Sequence, residues 1–315
     1  MKKEYIILAA AIVALGLYLV LRSSDRTHYE IPKIDAPDRE RITGIEISGP
    51  SGTLVLKRHD DVWKSEPEGY PIDRSRIDGM LDALSGINVV SLVSEAGSYV
   101  QYELEPDKRV FVEATGGTEP LLKIEIGKPA STNRHTYVKL EGDGRVYQVS
   151  GNIRRTFDVE VSTIRDKKVM TIDRAAVTGL SFRAGGETLS LAKVTRPVEP
   201  ADEGQAPAQA VTAWVTPDST EADGTVVEGI LGRVVNLQCD GFPEEGKELD
   251  MDEPSFTLII QSSRPDTLSI YGQTGEKMFL ATSSQCEFPF MLSEWKLGQI
   301  KKTPPEVMGQ KDETE

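Results

Sequence analysis

Two stretches of the chain carry the helical period. Ile77, Met80, Leu81 and Leu84 fall at i, i+3, i+4 and i+7, and Val227, Ile230, Leu231 and Val234 repeat that spacing, so each stretch presents one apolar stripe to a core. In the first, Asp73 is placed to cap the N-terminus, Ile72 to staple onto Ile77, and Gly86 to end the helix. A tryptophan, Trp63 or Trp214, and a polar stretch precede each pattern. Their matching positions favour a shared core role over ligand stacking.

Around these helices the period drops to two. ITGIEIS at 42–48 matches VTGLSFR at 177–183, and GTLVLKR at 52–58 matches ETLSLAK at 187–193, both at an offset of 135. Each pair reads as a hairpin, turning at 49–52 or 184–186. Further on, LLKIEIG from 121 matches DTLSIYG from 266, and TYVKL from 136 matches KMFLA from 277. Ile87 to Val93 (INVVSLV) reads as a buried strand. Order and spacing survive throughout, which predicts a tandem duplication. The offset grows to about 150 across a Pro, Ala and acidic run at 195–210, read as a loop inserted in the second copy.

The expected fold class is α+β: an N-terminal transmembrane helix, then two copies of a mostly antiparallel β-sheet unit, each of roughly six or seven strands with one central helix. The expected boundaries are a cytoplasmic tip and anchor at 1–26, a juxtamembrane linker at 27–40, a first repeat at 41–172, a second at 173–302, and a disordered tail at 303–315.

The anchor rests on Tyr5 to Leu21, 17 residues without formal charge, preceded by Lys2 and Lys3 and followed by Arg22, Asp25 and Arg26. As a helix it would span about 26 Å at about 1.5 Å per residue, near the lower limit for crossing a bilayer. A cleavable signal peptide is the rival, with Ala14 and Gly16 as small residues before a cleavage site. The apolar run through Leu17, Tyr18, Leu19, Val20 and Leu21 favours the anchor. Lys2, Lys3 and the terminal amine favour a cytoplasmic N-terminus, with the bulk periplasmic at a bacterial inner membrane.

Composition then narrows the chemistry. The 315 residues hold 36 Lys+Arg and 50 Asp+Glu, a net charge of −14, which argues against nucleic acid. Removing four basic and two acidic residues of the first 26 leaves 32 − 48 = −16 outside. Three histidines and two cysteines offer little for a metal centre, which needs three or four converging ligands. No catalytic, metal or cofactor residues are therefore expected.

Individual motifs give way to plainer readings. GQTGEK at 272–277 lacks the spacing of a phosphate loop and joins two strand patterns, so it reads as a hairpin turn. Ser48 to Gly52 has the wrong register for a nucleophile elbow. Glu244, Glu245, Glu248, Asp250, Asp252 and Glu253 lack a calcium-loop pattern and read as a solvated loop. Glu141 to Gly144 is a turn whose glycines supply positive φ. His28, His59 and His135 have no nucleophile or orienting group nearby in sequence and read as surface residues. Cys239 and Cys286 either pair in an oxidising periplasm, closing a loop of about 48 residues worth roughly 4 kcal/mol, or stay as two buried thiols.

GYPIDRSRIDGMLDALSGINVVSLVSE (69–95), YELEPD (102–107), LLKIEIGKPA (121–130), TYVKLEGDGRVYQVS (136–150) and IRDKKVM (164–170) together resemble the bacterial family called domain of unknown function 4340. The resemblance covers 40–170 and reaches the second copy through the repeat. It implies a membrane-tethered envelope protein associated with ABC-transport systems of the gliding-motility type, and it brings no catalytic residues to carry over. The function expected is non-catalytic: an accessory or scaffold component that contacts a transporter permease or another envelope protein. Sheet edges, or the junction at Arg165, Asp166, Lys167 and Lys168, would make the contact. The alternative is a periplasmic carrier of a small molecule or lipid, which would need an apolar cleft.

Overall fold

The computed structural model describes residues 7–8, 11–18, 32–95, 97–196, 211–244 and 246–309. It divides into two compact units, residues 1–164 and 165–315. Residues 7–8 and 11–18 are helical. Among the described residues no helix is long and apolar enough to cross a membrane, and the rest of the expected 5–21 span lies outside them, as do Lys2, Lys3 and His28.

The first unit runs β1 (Gly44–Gly49), β2 (Gly52–His59), β3 (Val62–Glu66), α1 (Arg74–Ser85), β4 (Val89–Ser94), β5 (Val110–Gly116), β6 (Glu119–Pro129), β7 (His135–Leu140), β8 (Val146–Ser150), α2 (Arg154–Phe157) and α3 (Val161–Ile164). Its eight strands form one sheet in the order β3-β2-β1-β5-β6-β7-β8-β4, and each neighbouring pair is antiparallel. Alternation sends Ile45, Ile47, Val110, Val112, Ile124, Ile126 and Val138 into a core that takes Ile77, Met80, Leu81 and Leu84 of α1. Full burial of such a side chain is worth about 1.5–3 kcal/mol. Asp73 accepts from the Arg76 amide and the Gly86 amide donates to Asp82, so both ends of α1 close as its sequence predicts.

The second unit runs β9 (Lys168–Thr171), β10 (Gly179–Ala184), β11 (Glu187–Arg196), β12 (Val211–Val215), α4 (Gly224–Val234), β13 (Asn236–Gln238), β14 (Phe256–Gln261), β15 (Asp266–Gln273), β16 (Met278–Ser283), β17 (Cys286–Ser293), α5 (Glu294–Ile300) and α6 (Pro304–Val307). Seven strands form an antiparallel sheet in the order β12-β11-β10-β14-β15-β16-β17, and β13 pairs with β9. The fold is thus α+β with antiparallel sheets.

The same small contacts recur in both units. Asp38 caps a 3-10 turn at Arg39–Arg41, and Asp173 caps one at Arg174–Ala176. Arg39 reaches Asp78 and Asp82 on α1, the latter at 2.6 Å; Arg174 reaches Glu228 on α4. The Thr43 amide donates to Thr115 and the Thr178 amide to Gln261, each at 2.8 Å. Ile72 donates to the Trp63 carbonyl and Ala222 to that of Trp214, each at 2.9 Å. Asp73 donates to Ile164 at 2.8 Å and Asp223 to Val307 at 2.9 Å.

Four expectations need correction. The division falls between Ile164 and Arg165 instead of at 172/173, because β9 pairs with β13 of the second unit. The tail is ordered through Gly309: Thr303 and Glu306 form a capping box, and Val307 is fully buried. Residues 310–315 lie outside the described set. The strand after α1 is the last of its sheet and mostly half-exposed, because among the described residues β8 alone pairs with it. Thr195 and Arg196 belong to β11, while 197–210 lie outside the described residues.

Candidate functional site

The inner faces of both sheets are occupied by their own cores, so the surfaces open to partners are outer faces and edges. In the first unit the outer face is partly covered by residues 97–107. Here Tyr102 and Leu104, with Val146 beneath them, form a small second core against Val93, Tyr99 and Tyr137. The Tyr102 and Tyr137 ring centroids are 4.8 Å apart. This cap lies so close to β6 that a Cβ on Gly127 would stand 2.2 Å from the Tyr102 carbonyl oxygen and 3.0 Å from Leu104. Two segments of the resemblance, 102–107 and 121–130, therefore meet at Gly127.

Beside the cap the face is charged. Strand register aligns Thr53, Ser48, Phe111, Glu125 and Lys139 in one row across β2, β1, β5, β6 and β7. The hydroxyls of Ser48 and Thr53 are 3.1 Å apart. Glu125 is held by Arg109 at 2.7 Å and Lys139 at 2.9 Å, and the Lys139 ammonium also lies 5.0 Å from the Tyr99 ring centre. Lys123 lies 3.7 Å from Glu113 and 3.4 Å from Glu141. Phe111 stands between two grooves. One, about 460 Å³, is lined by the 48–53 hairpin, Pro106, Asp107 and Arg109; the other, about 280 Å³, by Lys123, Glu125, Lys139 and the 141–144 turn.

That turn is locked. Arg145 binds Asp143 at 2.8 Å and Tyr147 donates to Asp143 at 2.7 Å. The arginine bond holds the Asp143 carboxyl well below the usual range, and burial with the bond to Asp143 pushes Tyr147 up to about 12. Gly142 takes positive φ (73°), as the turn requires.

Beyond the cap the sheet ends at β4, VVSLVS, which contains no charged residue. Val90 is 39% exposed, and Val100 in the cap 65%. The strand that ends the second sheet, β17, carries Glu287 and Pro289 and bridges Gly241 at Met291, and both end strands are bulged against their neighbours.

Among the described residues the candidates of the sequence do not converge into one cluster. Thr274 donates to Met278 at 2.8 Å, so 272–277 is a hairpin turn, and Gly49 pairs with Gly52 across another. Trp63 and Trp214 are both buried, and the Trp214 indole donates to Glu228 at 3.0 Å. His59 lies 3.6 Å from Glu66 on an exposed hairpin, and His135 opens β7. Among the described residues no cluster of His, Cys, Asp and Glu could hold a metal; Glu245 lies outside them. Cys239 and Cys286 are free thiols in the second unit. Cys239 is buried, which pushes its thiol up to about 11, and Cys286 donates to the Phe288 carbonyl at 3.3 Å.

Of the expected junction surface, Arg165 is instead buried (6% exposed), its guanidinium 3.5 Å from the Phe242 ring centre and 5.7 Å from that of Phe288. Arg109, Phe111, Glu125 and Lys139 were not singled out from sequence. The available signal was alternation in VFVEATG and LLKIEIG; which residues line up across strands depends on pairings that alternation does not encode.

A sequence model of one family, Domain of unknown function (DUF4340), matches residues 63–254, 192 of the 315, and the chain belongs to that family. No curated protein and no solved structure matches it.

Proposed function

We propose that the chain is a membrane-anchored protein of the bacterial envelope, built by tandem duplication of one α+β unit. It serves without catalysis as an accessory component of an ABC-type transport system, and holds a partner protein along the edge of β4.

The anchor reading is supported by the N-terminal helical residues. Ile7, Leu8, Ile12, Val13, Leu15, Leu17 and Tyr18 are each at least 56% exposed, and a segment apolar on several sides and uncovered by its own protein suits a bilayer. Lys2 and Lys3 favour a cytoplasmic N-terminus with both units in the periplasm. Duplication is supported by contacts that hydrophobic pattern alone would not repeat, above all Arg39 to Asp78 beside Arg174 to Glu228.

The observation that carries the reading of a protein partner is β4 itself. Among the described residues its strand neighbour is β8, it carries no charged side chain, and an uncharged end strand is a place where a further strand can add. Val90 and Val100 supply apolar contact next to it. The carrier alternative would need an apolar cleft, whereas the two grooves of the first unit are lined largely by charged and polar side chains.

The test is in-membrane crosslinking of the tagged full-length protein followed by mass spectrometry. Recovery of permease or ATPase subunits crosslinked in 89–100 is the expected result. Recovery of lipid without any protein would replace this reading with the carrier.

A further inference from the structure

We infer that the row on the outer face of the first sheet is a binding site for a neutral glycan strand, a reading independent of the protein contact at β4. The row Thr53, Ser48, Phe111, Glu125 and Lys139 crosses five strands, about 19 Å at about 4.8 Å per strand spacing, the reach of a short oligosaccharide lying across the strands.

Its chemistry is mixed in the way a sugar chain requires. A sugar ring presents hydroxyls at its rim, each both donor and acceptor, and C–H groups on its faces. The row offers hydroxyls at Ser48 and Thr53, a carboxylate at Glu125, an ammonium at Lys139, the Arg109 guanidinium beside them, and the half-buried Phe111 ring between two grooves.

Charge excludes an anionic occupant. Arg109, Lys123 and Lys139 each lie within 4 Å of Glu113, Glu125 or Glu141, while Asp107 in the first groove and Glu46 opposite Glu113 add negative charge. No excess positive charge is left for a phosphate polymer, and the chain as a whole is at −14. Charges already paired with one another are also held in place before a ligand arrives, so their remaining lone pairs and hydrogens meet ring hydroxyls without side-chain ordering.

The second sheet supplies the internal control. Register places Thr188, Arg183, Thr257, Ser269 and Thr282 in its corresponding row, with no aromatic ring and no acid–base pair.

The experiment is titration calorimetry of the detergent-solubilised full-length protein with three neutral tetrasaccharides: cellotetraose, maltotetraose and N-acetylchitotetraose. The expected result is saturable binding of at least one, weakened about three- to tenfold by Phe111→Ala, weakened also by Lys139→Met, and unchanged by Thr257→Ala. Absence of binding by all three overturns the inference, as does binding that neither Phe111→Ala nor Lys139→Met weakens. Displacement of the sugar's place by a mixed Lys/Glu peptide, bound in a Phe111-dependent way while no sugar binds, also overturns it. Crosslinking at β4 is read separately, so failure here leaves that reading to its own test.

Discussion

Arg39 and Arg174 each leave a short capped turn to reach a carboxylate on the helix behind them, and Asp73 and Asp223 cap those helices while donating their own amides to the end of a later one. On the other side of the sheets the likeness stops. After Ile126 the first unit has Gly127, with the cap seated on it; after Ile270 the second has Tyr271, which fills its own place and lies 3.4 Å from the Thr282 hydroxyl. Where the first face carries Phe111, Glu113, Lys123, Glu125 and Lys139, register sets Thr257, Ile259, Thr267, Ser269 and Thr282 on the second. The inner faces answer to packing, which one solution satisfies twice. The outer faces are free of that constraint, and the first carries a cap, charge pairs and an uncharged end strand.

The shared framework can be broken most severely at its tryptophans. Trp214→Ala empties a fully buried site and strands Glu228 without its indole donor, so a loss of about 3–5 kcal/mol in chemical denaturation is expected. Trp63, 7% exposed, should cost less. Ending the chain at Lys302 removes Val307 and the acceptor of the Asp223 amide; a loss of about 1.5–3 kcal/mol is expected from the valine alone, confined to the second unit in hydrogen exchange. A merely dangling tail would give no change.

Gly127→Ala sharpens the contrast between outer faces. Its Cβ would collide with the Tyr102 carbonyl, and about 1–3 kcal/mol of destabilisation is expected, with loss of protection at 97–107. Tyr271→Ala in the second unit should cost less, since Tyr271 is half-buried and its hydroxyl makes one contact, 3.4 Å from Thr282.

Acid should weaken both units through the same mechanism. Asp73 is lowered by its Ser75 bond; Glu228 is lowered because the Arg174 and Trp214 bonds outweigh burial; Glu306 is lowered by its Thr303 bonds. Groups lowered in the folded state contribute stability that is present above their unfolded values, about 4, and is lost as pH falls through the folded values below that. Stability should therefore be flat from neutral pH to about 5 and fall beneath it. Smallest of all, Arg39→Ala and Arg174→Ala should each cost about 0.2–1 kcal/mol, because these pairs are over a third exposed.

What was legible in the sequence follows the same division. The stripes of α1 and α4, the caps at Asp73 and Gly86, and the opening hairpins could be read because period and capping chemistry are local. The pairing of β9 with β13 could not, since it joins Lys168–Thr171 to a segment more than sixty residues away with no pattern of its own. The cap at 97–107 has aromatic residues but no period, so its place over Gly127 emerges only when β6 is folded. The prolines and charges of the tail suggest disorder, while Thr303 and Glu306 spell a capping box.

We propose that the first unit's outer face and edge, and not the second's, meet other molecules. A photo-crosslinking residue placed at Val90 on β4, and separately at Glu287 on β17, in membranes of cells making the full-length protein, tests it directly. Adducts to a defined protein partner from position 90 and none from position 287 are predicted; adducts from 287 with none from 90 would contradict it.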